Sequence, residues 1–259
     1  MSKGSRNKQA ARERIARLRA EQARRRRRRI RVASSAAAAA VIAVLSGIIL
    51  AVTGGGSAAT SGATSGLSLA PLSTLGTLQP APAPGATGSE GVPVPAAAPL
   101  AGTATAATGQ SIDQIGCQTT EQTLFHIHAH LAIFVNGKAR QVPAAIGVPG
   151  AQAEQTAHGP FIAAGTCFYW LHTHAADGII HIESPVERTY TLGDFFDEWG
   201  QPLGPAQVGP AAGRVVALYD GKVYHGNPRD IPLTAHAQIQ LEIGTPLVAP
   251  QPVVFPAGL

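Results

Sequence analysis

The sequence contains a single methionine, only two cysteines and no Cys-x-x-His spacing. Blue-copper centres combine a cysteine and two histidines with a weak axial ligand that is commonly methionine, so this class of copper site is disfavoured. The sequence also has no internal repeat, no glycine-rich loop of the kind that holds phosphate groups and no nucleophile elbow. An enzymatic function therefore has little support from recognisable motifs.

Aromatic residues are scarce, at 5% of the chain, and all of them follow Leu124. A stretch without large apolar side chains cannot bury enough surface to form a core, so folding is expected in the second half. Charge is uneven too: residues 1–31 hold fourteen Lys or Arg against two Glu, and the remainder holds six basic against thirteen acidic residues. The net charge of +5 is therefore the sum of +12 in residues 1–31 and −7 in the remainder. The negative charge of the remainder argues against nucleic-acid binding by the folded part.

Residues 1–31 are predicted to form a basic cytoplasmic arm, and residues 32–53 form an uncharged apolar segment behind it. About 20 apolar residues span a bilayer, and the preceding positive charge predicts that the N terminus stays in the cytoplasm. We therefore expect a single-pass signal-anchor in the cell membrane, with the C-terminal domain outside the cytoplasm. A cleaved signal peptide is the alternative, although its charged region is normally short. The arm is expected to contact anionic lipid headgroups, with nucleic acid as the alternative partner.

Residues 54–110 contain mainly Gly, Ala, Ser, Thr and Pro, with Glu90 as the only charge. This composition predicts a disordered linker that holds the following domain away from the membrane. The folded domain is predicted over residues 111–248, and residues 249–259 are expected to form a C-terminal tail.

Three Asn-Gly or Asp-Gly pairs between alternating apolar runs predict β-hairpins with two-residue turns. The pairs are Asn136-Gly137, Asp177-Gly178 and Asp220-Gly221. One short helix is predicted, with Thr191 as its N-cap, Asp194 completing a capping box and Gly200 at its end. Residues 144–166 are interpreted as an irregular loop. The expected fold class is α+β, with mostly antiparallel hairpins and one packed helix.

The second hairpin places four candidate metal ligands on one strand face. If the chain turns over two residues, His174 lies opposite His181 and His172 lies opposite Glu183. Three imidazoles and a carboxylate are donors that suit zinc or copper. The expected pairs depend on this register, since a slip of one residue moves every side chain to the other face.

The first hairpin carries histidines at every second position, His126, His128 and His130. Side chains with this spacing share one face of a strand, so they are expected to add a ligand or a second site. A polar face that titrates with pH is the alternative explanation. The two cysteines, Cys117 and Cys167, are expected to form a disulfide outside the cytoplasm. A thiolate ligand for copper or zinc is the alternative for either cysteine.

Three motifs recur together in this chain: HIHAHL followed by an Asn-Gly turn, LHTHAADGIIHIE, and TLGDFFDEWG. In the forms HxHxHL, LHTH..GIIHIE and TLG.FF..WG, they resemble an uncharacterised family of membrane-anchored bacterial and archaeal proteins. The resemblance covers roughly Gly116 to Gly244. It implies a folded unit over that range and no particular activity.

Three functions from different classes remain. The favoured one is an extracytoplasmic module that binds copper or zinc for metal handling or sensing. In the second, a hydrolase-like enzyme, His172, His174 and His181 would leave an open position for an activated water, with Glu183 as the base. The third is a pH-responsive structural or interaction domain without metal. The sequence indicates no particular protein partner.

Overall fold

A computed structural model describes residues 66–103 and 107–259. The predicted basic arm and membrane anchor, at 1–31 and 32–53, lie outside the described residues. Within the described part, no helix combines the length and the apolar character needed to cross a bilayer. Strand residues make up 36% of this part and helical residues 8%. The predicted α+β class is therefore wrong: the protein is mostly β, because its one α-helix is too short to form a separate layer.

Fifteen strands and one α-helix follow one another in the described residues. The strands are β1 (Leu69–Ala70), β2 (Cys117–Gln118), β3 (Phe125–Val135), β4 (Lys138–Arg140), β5 (Gln152–Thr156), β6 (Gly159–Ala164), β7 (Phe168–Tyr169), β8 (Leu171–His172), β9 (Ile179–Ser184), β10 (Leu203–Gly204), β11 (Gln207–Val208), β12 (Ala211–Ala212), β13 (Val215–Tyr219), β14 (Lys222–Tyr224) and β15 (Gln238–Ile243). Helix α1 spans Leu192–Trp199, and 3-10 turns cover Leu72–Leu75 and Pro228–Asp230.

The long strand β3 organises an eight-stranded sheet, in which seven strands follow the order β1-β14-β13-β15-β3-β9-β8 and the eighth, β4, pairs with β3. On one side, β3 pairs in parallel with β15. On its other side, β9 pairs antiparallel with its first half and β4 with its last residues. Side chains alternate between the two faces of β3, so one face carries Ala129, Leu131 and Ile133 and the other carries the histidines.

Helix α1 covers the apolar face of this sheet. Its start is the predicted capping box, in which Thr191 and Asp194 each bond the other's backbone amide. It ends at Gly200, which has the left-handed conformation expected of a helix C-terminus. Phe195, Phe196 and Trp199 are fully buried in the core with the apolar residues of β3.

Two of the three predicted hairpin turns are confirmed. Asn136 and Gly137 join β3 to β4, and Asp220 and Gly221 join β13 to β14. All four residues have positive φ, as a type I′ turn requires.

The second hairpin differs from its predicted register. Strand β8 ends at His172 and β9 begins at Ile179, so the two are joined by a six-residue loop. His172, and not His174, therefore lies opposite His181. The loop replaces the tight turn because Asp177 Oδ1 accepts a hydrogen bond from the amide of Ile179, at 3.1 Å, and an Asx-turn of this kind competes with type I′ geometry.

Residues 144–166 are not an irregular loop throughout, as the sequence predicted. Within them, β5 and β6 form a hairpin. The error has a physical cause: β5 is wholly exposed, so its sequence lacks the apolar alternation that marks a half-buried strand.

Part of the predicted linker, at residues 66–103 and 107–110, belongs to the described chain and packs on the domain. Strand β1 pairs with β14, the amide of Gln79 donates to the carbonyl of Leu247 at 2.8 Å, and Leu100 is buried. Backbone hydrogen bonds order a segment that has few large side chains. This part is folded, where its composition predicted a disordered tether.

The predicted disulfide between Cys117 and Cys167 is confirmed. It joins strand β2 to the residue that directly precedes β7, and these two strands also pair with each other. Because both cysteines are bonded, neither serves as a thiolate ligand, and the metal-binding alternative for them is wrong.

Candidate metal centre

Five histidines and one glutamate gather on the face of the sheet opposite helix α1. Strand β9 lies between β3 and β8, so His181 faces His128 on one side and His172 on the other. The same pairing sets Glu183 opposite His126. We call this group the histidine cluster; its members are His126, His128, His172, His174, His181 and Glu183.

The β3 side of the histidine cluster brings four potential ligand atoms together. The Nε2 atom of His126 lies 3.0 Å from Nε2 of His128 and 3.0 Å from Oε1 of Glu183. The Nδ1 atom of His181 lies 3.1 Å from Nε2 of His128 and 3.4 Å from Oε1 of Glu183. These four residues form one group that could hold a metal ion.

The β8 side forms a second such group, made of His172, His174, His181 and Glu183. His174 reaches it from the loop after β8, and its Nε2 atom lies 3.1 Å from Nε2 of His172. The ring of His174 stacks on Phe161, with centroids 4.6 Å apart, which fixes its orientation. The set predicted from the sequence is thus brought together in spite of the changed register.

Backbone carbonyls fix the tautomers of His172 and His174. Nδ1 of His172 lies 2.8 Å from the carbonyl oxygen of Tyr169, and Nδ1 of His174 lies 2.5 Å from that of Ile162. A carbonyl can only accept, so both Nδ1 atoms carry the hydrogen and, in the neutral rings, both Nε2 atoms have a bare lone pair. Metal-binding histidines characteristically have their second nitrogen held in this way.

Two lone pairs at 3.1 Å repel each other unless a cation lies between them. The spacing fits a metal ion: nitrogen ligands about 2.05 Å from a tetrahedral zinc ion lie roughly 3.3 Å apart. The contacts within the histidine cluster, from 3.0 to 3.4 Å, are close to that value, and most of them are slightly shorter.

Burial keeps most of the histidine cluster neutral. Burial and the neighbouring charge of His181 lower the pKa of His128 to about 3. Burial also lowers the pKa of His174, and holds the pKa of His172 well below its usual value. Imidazole must be neutral to bind a metal, so these rings are ready to act as ligands at neutral pH.

His181 behaves differently from these three rings. Burial alone would lower the pKa of His181, but hydrogen bonds to the carboxylates of Glu183 and Glu90 outweigh it and raise the pKa to about 9. Burial likewise opposes ionisation of Glu183, yet the hydrogen bonds from His126 and His181 lower its pKa. Without a metal, His181 is therefore protonated at neutral pH, and its charge takes the place of a metal ion beside the carboxylates.

Two carboxylates that the sequence analysis did not assign to the site lie beside it. Oε1 of Glu90 lies 2.6 Å from Nε2 of His181, and Oε1 of Glu121 lies 3.5 Å from Nε2 of His174. Glu90 sits in a tight turn closed by the hydrogen bond from the amide of Gly91 to the carbonyl of Gly88, at 3.1 Å. Glu90 stands out in the sequence as the only charged residue between 32 and 112, but nothing near it indicates that it contacts His181.

His130, the remaining predicted ligand, lies outside both groups. Its Nε2 atom donates to the carbonyl of Asp177 at 3.1 Å, and burial lowers its pKa to about 4. His130, Asp177 and Gly178 border a cavity of about 400 Å³ that is otherwise lined largely by apolar and proline residues. Burial and the charge of Glu90 raise the pKa of the Asp177 carboxyl to about 7.

The histidine cluster opens to solvent at one edge. The side chains of His126 and Glu121 are 36% and 38% exposed, whereas those of His174, His181 and Glu183 are 7% or less. The solvent-exposed edge of the cluster is therefore formed by His126 and Glu121.

Comparison with family models, with curated proteins and with solved structures finds no match to this chain. The resemblance in the three motifs stays a prediction. Function is therefore inferred from the geometry and the electrostatics of the histidine cluster.

Proposed function

We propose that this protein binds a transition-metal ion, zinc or copper, at the histidine cluster and serves in metal handling or sensing. The observation that carries this proposal is the pair formed by His172 and His174. Each ring gives its only hydrogen to a backbone carbonyl, at Tyr169 or Ile162, and turns its bare nitrogen toward the other ring. Such a pair is repulsive in a neutral protein and favourable around a cation.

The pH-responsive alternative accounts less well for this geometry. A histidine that responds near neutral pH needs a pKa close to 6.5. Burial instead lowers the pKa of His128 to about 3, and it also lowers the pKa values of His172 and His174. Rings that stay neutral over the physiological range are better suited to metal binding than to sensing protons.

The cellular setting is proposed from the sequence. Residues 32–53 would anchor the chain in the cell membrane, with the basic arm in the cytoplasm and this domain outside. The Cys117–Cys167 disulfide supports that setting, because disulfides persist in oxidising compartments.

The proposal is tested by equilibrium titration of the full chain with Zn²⁺ and Cu²⁺ in competition with a chromophoric chelator. We expect His172→Ala combined with His174→Ala to weaken binding by at least about 100-fold. Removing a residue that only supports a ligand already lowers metal affinity about 10–100-fold, and removing two ligands should lower it more. The matched control is His158→Ala, in the exposed turn between β5 and β6. A thermal unfolding scan of each variant separates lost ligands from a lost fold. No binding by the wild type, or equal affinities in all three proteins, would overturn the proposal.

A further inference from the structure

We infer that the histidine cluster holds two metal ions side by side, with the carboxylate of Glu183 shared between them. This inference rests on the proposed metal binding and deepens it. It begins from the observation that the two potential ligand groups have only His181 and Glu183 in common. The remaining rings divide into a β3 pair, His126 and His128, and a β8 pair, His172 and His174.

The number of ligand atoms exceeds what one ion takes. A closed zinc site uses four ligands, and the β3 pair with His181 and Glu183 already provides four, with contacts of 3.0 to 3.4 Å. The β8 pair then remains, with its two bare Nε2 atoms 3.1 Å apart. Because β9 separates β3 from β8 in the sheet, the two pairs approach His181 from opposite sides.

Glu183 has one oxygen available for each ion. Its Oε1 atom contacts His126 and His181 on the β3 side, at 3.0 and 3.4 Å. Its Oε2 atom is buried and has no hydrogen-bond partner among the residues the structure describes. A buried unpaired carboxylate oxygen is costly, and a second ion would remove that cost. Carboxylates bridge the two ions of known two-metal sites in this way, with the ions about 3.5–4 Å apart.

The surrounding carboxylates leave room in the charge balance for a second cation on the β8 side. Oε1 of Glu90 contacts Nε2 of His181, and Oε1 of Glu121 lies 3.5 Å from Nε2 of His174. Together with Glu183, three carboxylates therefore border the cluster. The other oxygen of Glu90 is also buried without a partner in the described chain. With one divalent ion the three carboxylates leave a net charge of −1, and with two ions a net charge of +1, so the surrounding charge accommodates a second cation.

The test is metal stoichiometry. The full chain is loaded with Zn²⁺ and desalted, and the number of zinc ions per chain is measured by inductively coupled plasma mass spectrometry. We expect two ions in the wild type and in His158→Ala. One ion is expected when the β3 pair is changed, by His126→Ala with His128→Ala, and one when the β8 pair is changed, by His172→Ala with His174→Ala. One ion in the wild type and none in either pair variant would overturn the two-ion inference and leave the proposed function standing. No zinc in the wild type would overturn both.

A second measurement on the wild type avoids variants that fail to fold. Two Cu²⁺ ions that share a ligand couple magnetically, so the integrated paramagnetic resonance signal of the copper-loaded chain should be less than half of its copper content. A signal equal to the copper content would contradict a carboxylate of Glu183 shared between the ions, even if two ions are bound.

Discussion

Two largely buried polar rows lie on the same face of the central sheet, and their polar atoms are paired in different ways. One is the histidine cluster on β3, β9 and β8. The other, which we call the β15 row, consists of Gln238, Gln240 and Glu242. In the β15 row, polar atoms bond the backbone of the C-terminal segment: Gln240 Nε2 donates to the carbonyl of Val248 at 3.2 Å, and its Oε1 accepts from the amide of Gln251 at 2.9 Å.

The difference separates a structural polar row from a binding site. The β15 row matches each donor with an acceptor, so it needs no further partner. In the histidine cluster the ring nitrogens face one another, and His172 and His174 present two bare lone pairs. Burial alone does not mark a functional site; polar atoms that lack complementary partners do.

The largest expected effect contrasts the two rows directly. His181→Ala should weaken metal binding more than any other single change, because His181 belongs to both ligand groups. Gln240→Ala should leave metal affinity unchanged but lower the free energy of unfolding by about 1–3 kcal/mol, because it leaves buried backbone groups unpaired. Titration with Zn²⁺ and urea unfolding of both variants measure the two quantities. Loss of metal binding in Gln240→Ala would show that the rows are not independent.

A second prediction concerns the disulfide. Cys167 directly precedes β7, and the next strand, β8, carries His172 of the histidine cluster. Cys117 and Cys167 close a loop of 50 residues, so replacing both by serine should cost about 4 kcal/mol of stability on the chain-entropy model. Hydrogen exchange of the double variant should show greater opening in β7 and β8 than in β15. Equal changes in the three strands would mean that the disulfide does not act locally.

The smallest expected effect is a pH dependence in the β15 row. Burial raises the pKa of Glu242 to about 7, against the opposing hydrogen bonds from Gln240 and Val248. The folded state therefore binds a proton more tightly than the unfolded state, whose carboxyl has a pKa near 4.5. The resulting stability is complete below pH 4.5 and is lost as the pH rises toward 7. Glu242→Gln should flatten this decline between pH 5 and 8 in urea unfolding; an unchanged slope would assign the decline to another group.

The sequence predicted most of the histidine cluster although it gave the wrong register for the second hairpin. The predicted pair of His174 with His181 and the observed pair of His172 with His181 differ by two residues. A shift of two keeps a strand side chain on its face, whereas a shift of one reverses it. His174 lies in the loop after β8 and not in the strand. Its hydrogen bond to the carbonyl of Ile162 holds its ring in the cluster.

The contact of Glu90 with His181, and the packing of the C-terminal segment on the β15 row, could not be predicted in the same way. Glu90 meets His181 across 91 positions of sequence, and nothing in its Gly- and Pro-rich surroundings has the periodicity of a helix or strand. The segment is ordered by single contacts to distant residues, such as the bond from Gln141 Nε2 to the carbonyl of Pro95 at 2.7 Å. Local pattern carries no information about such contacts.

The central claim, that the facing ring nitrogens hold a metal ion, is tested most directly by X-ray absorption spectroscopy of the full chain loaded with Zn²⁺. We predict a first shell of nitrogen and oxygen at about 2.0–2.1 Å, with outer-shell scattering from several imidazole rings that decreases in His181→Ala. A shell of oxygen atoms alone, without imidazole scattering, would place the zinc outside the histidine cluster and contradict the claim.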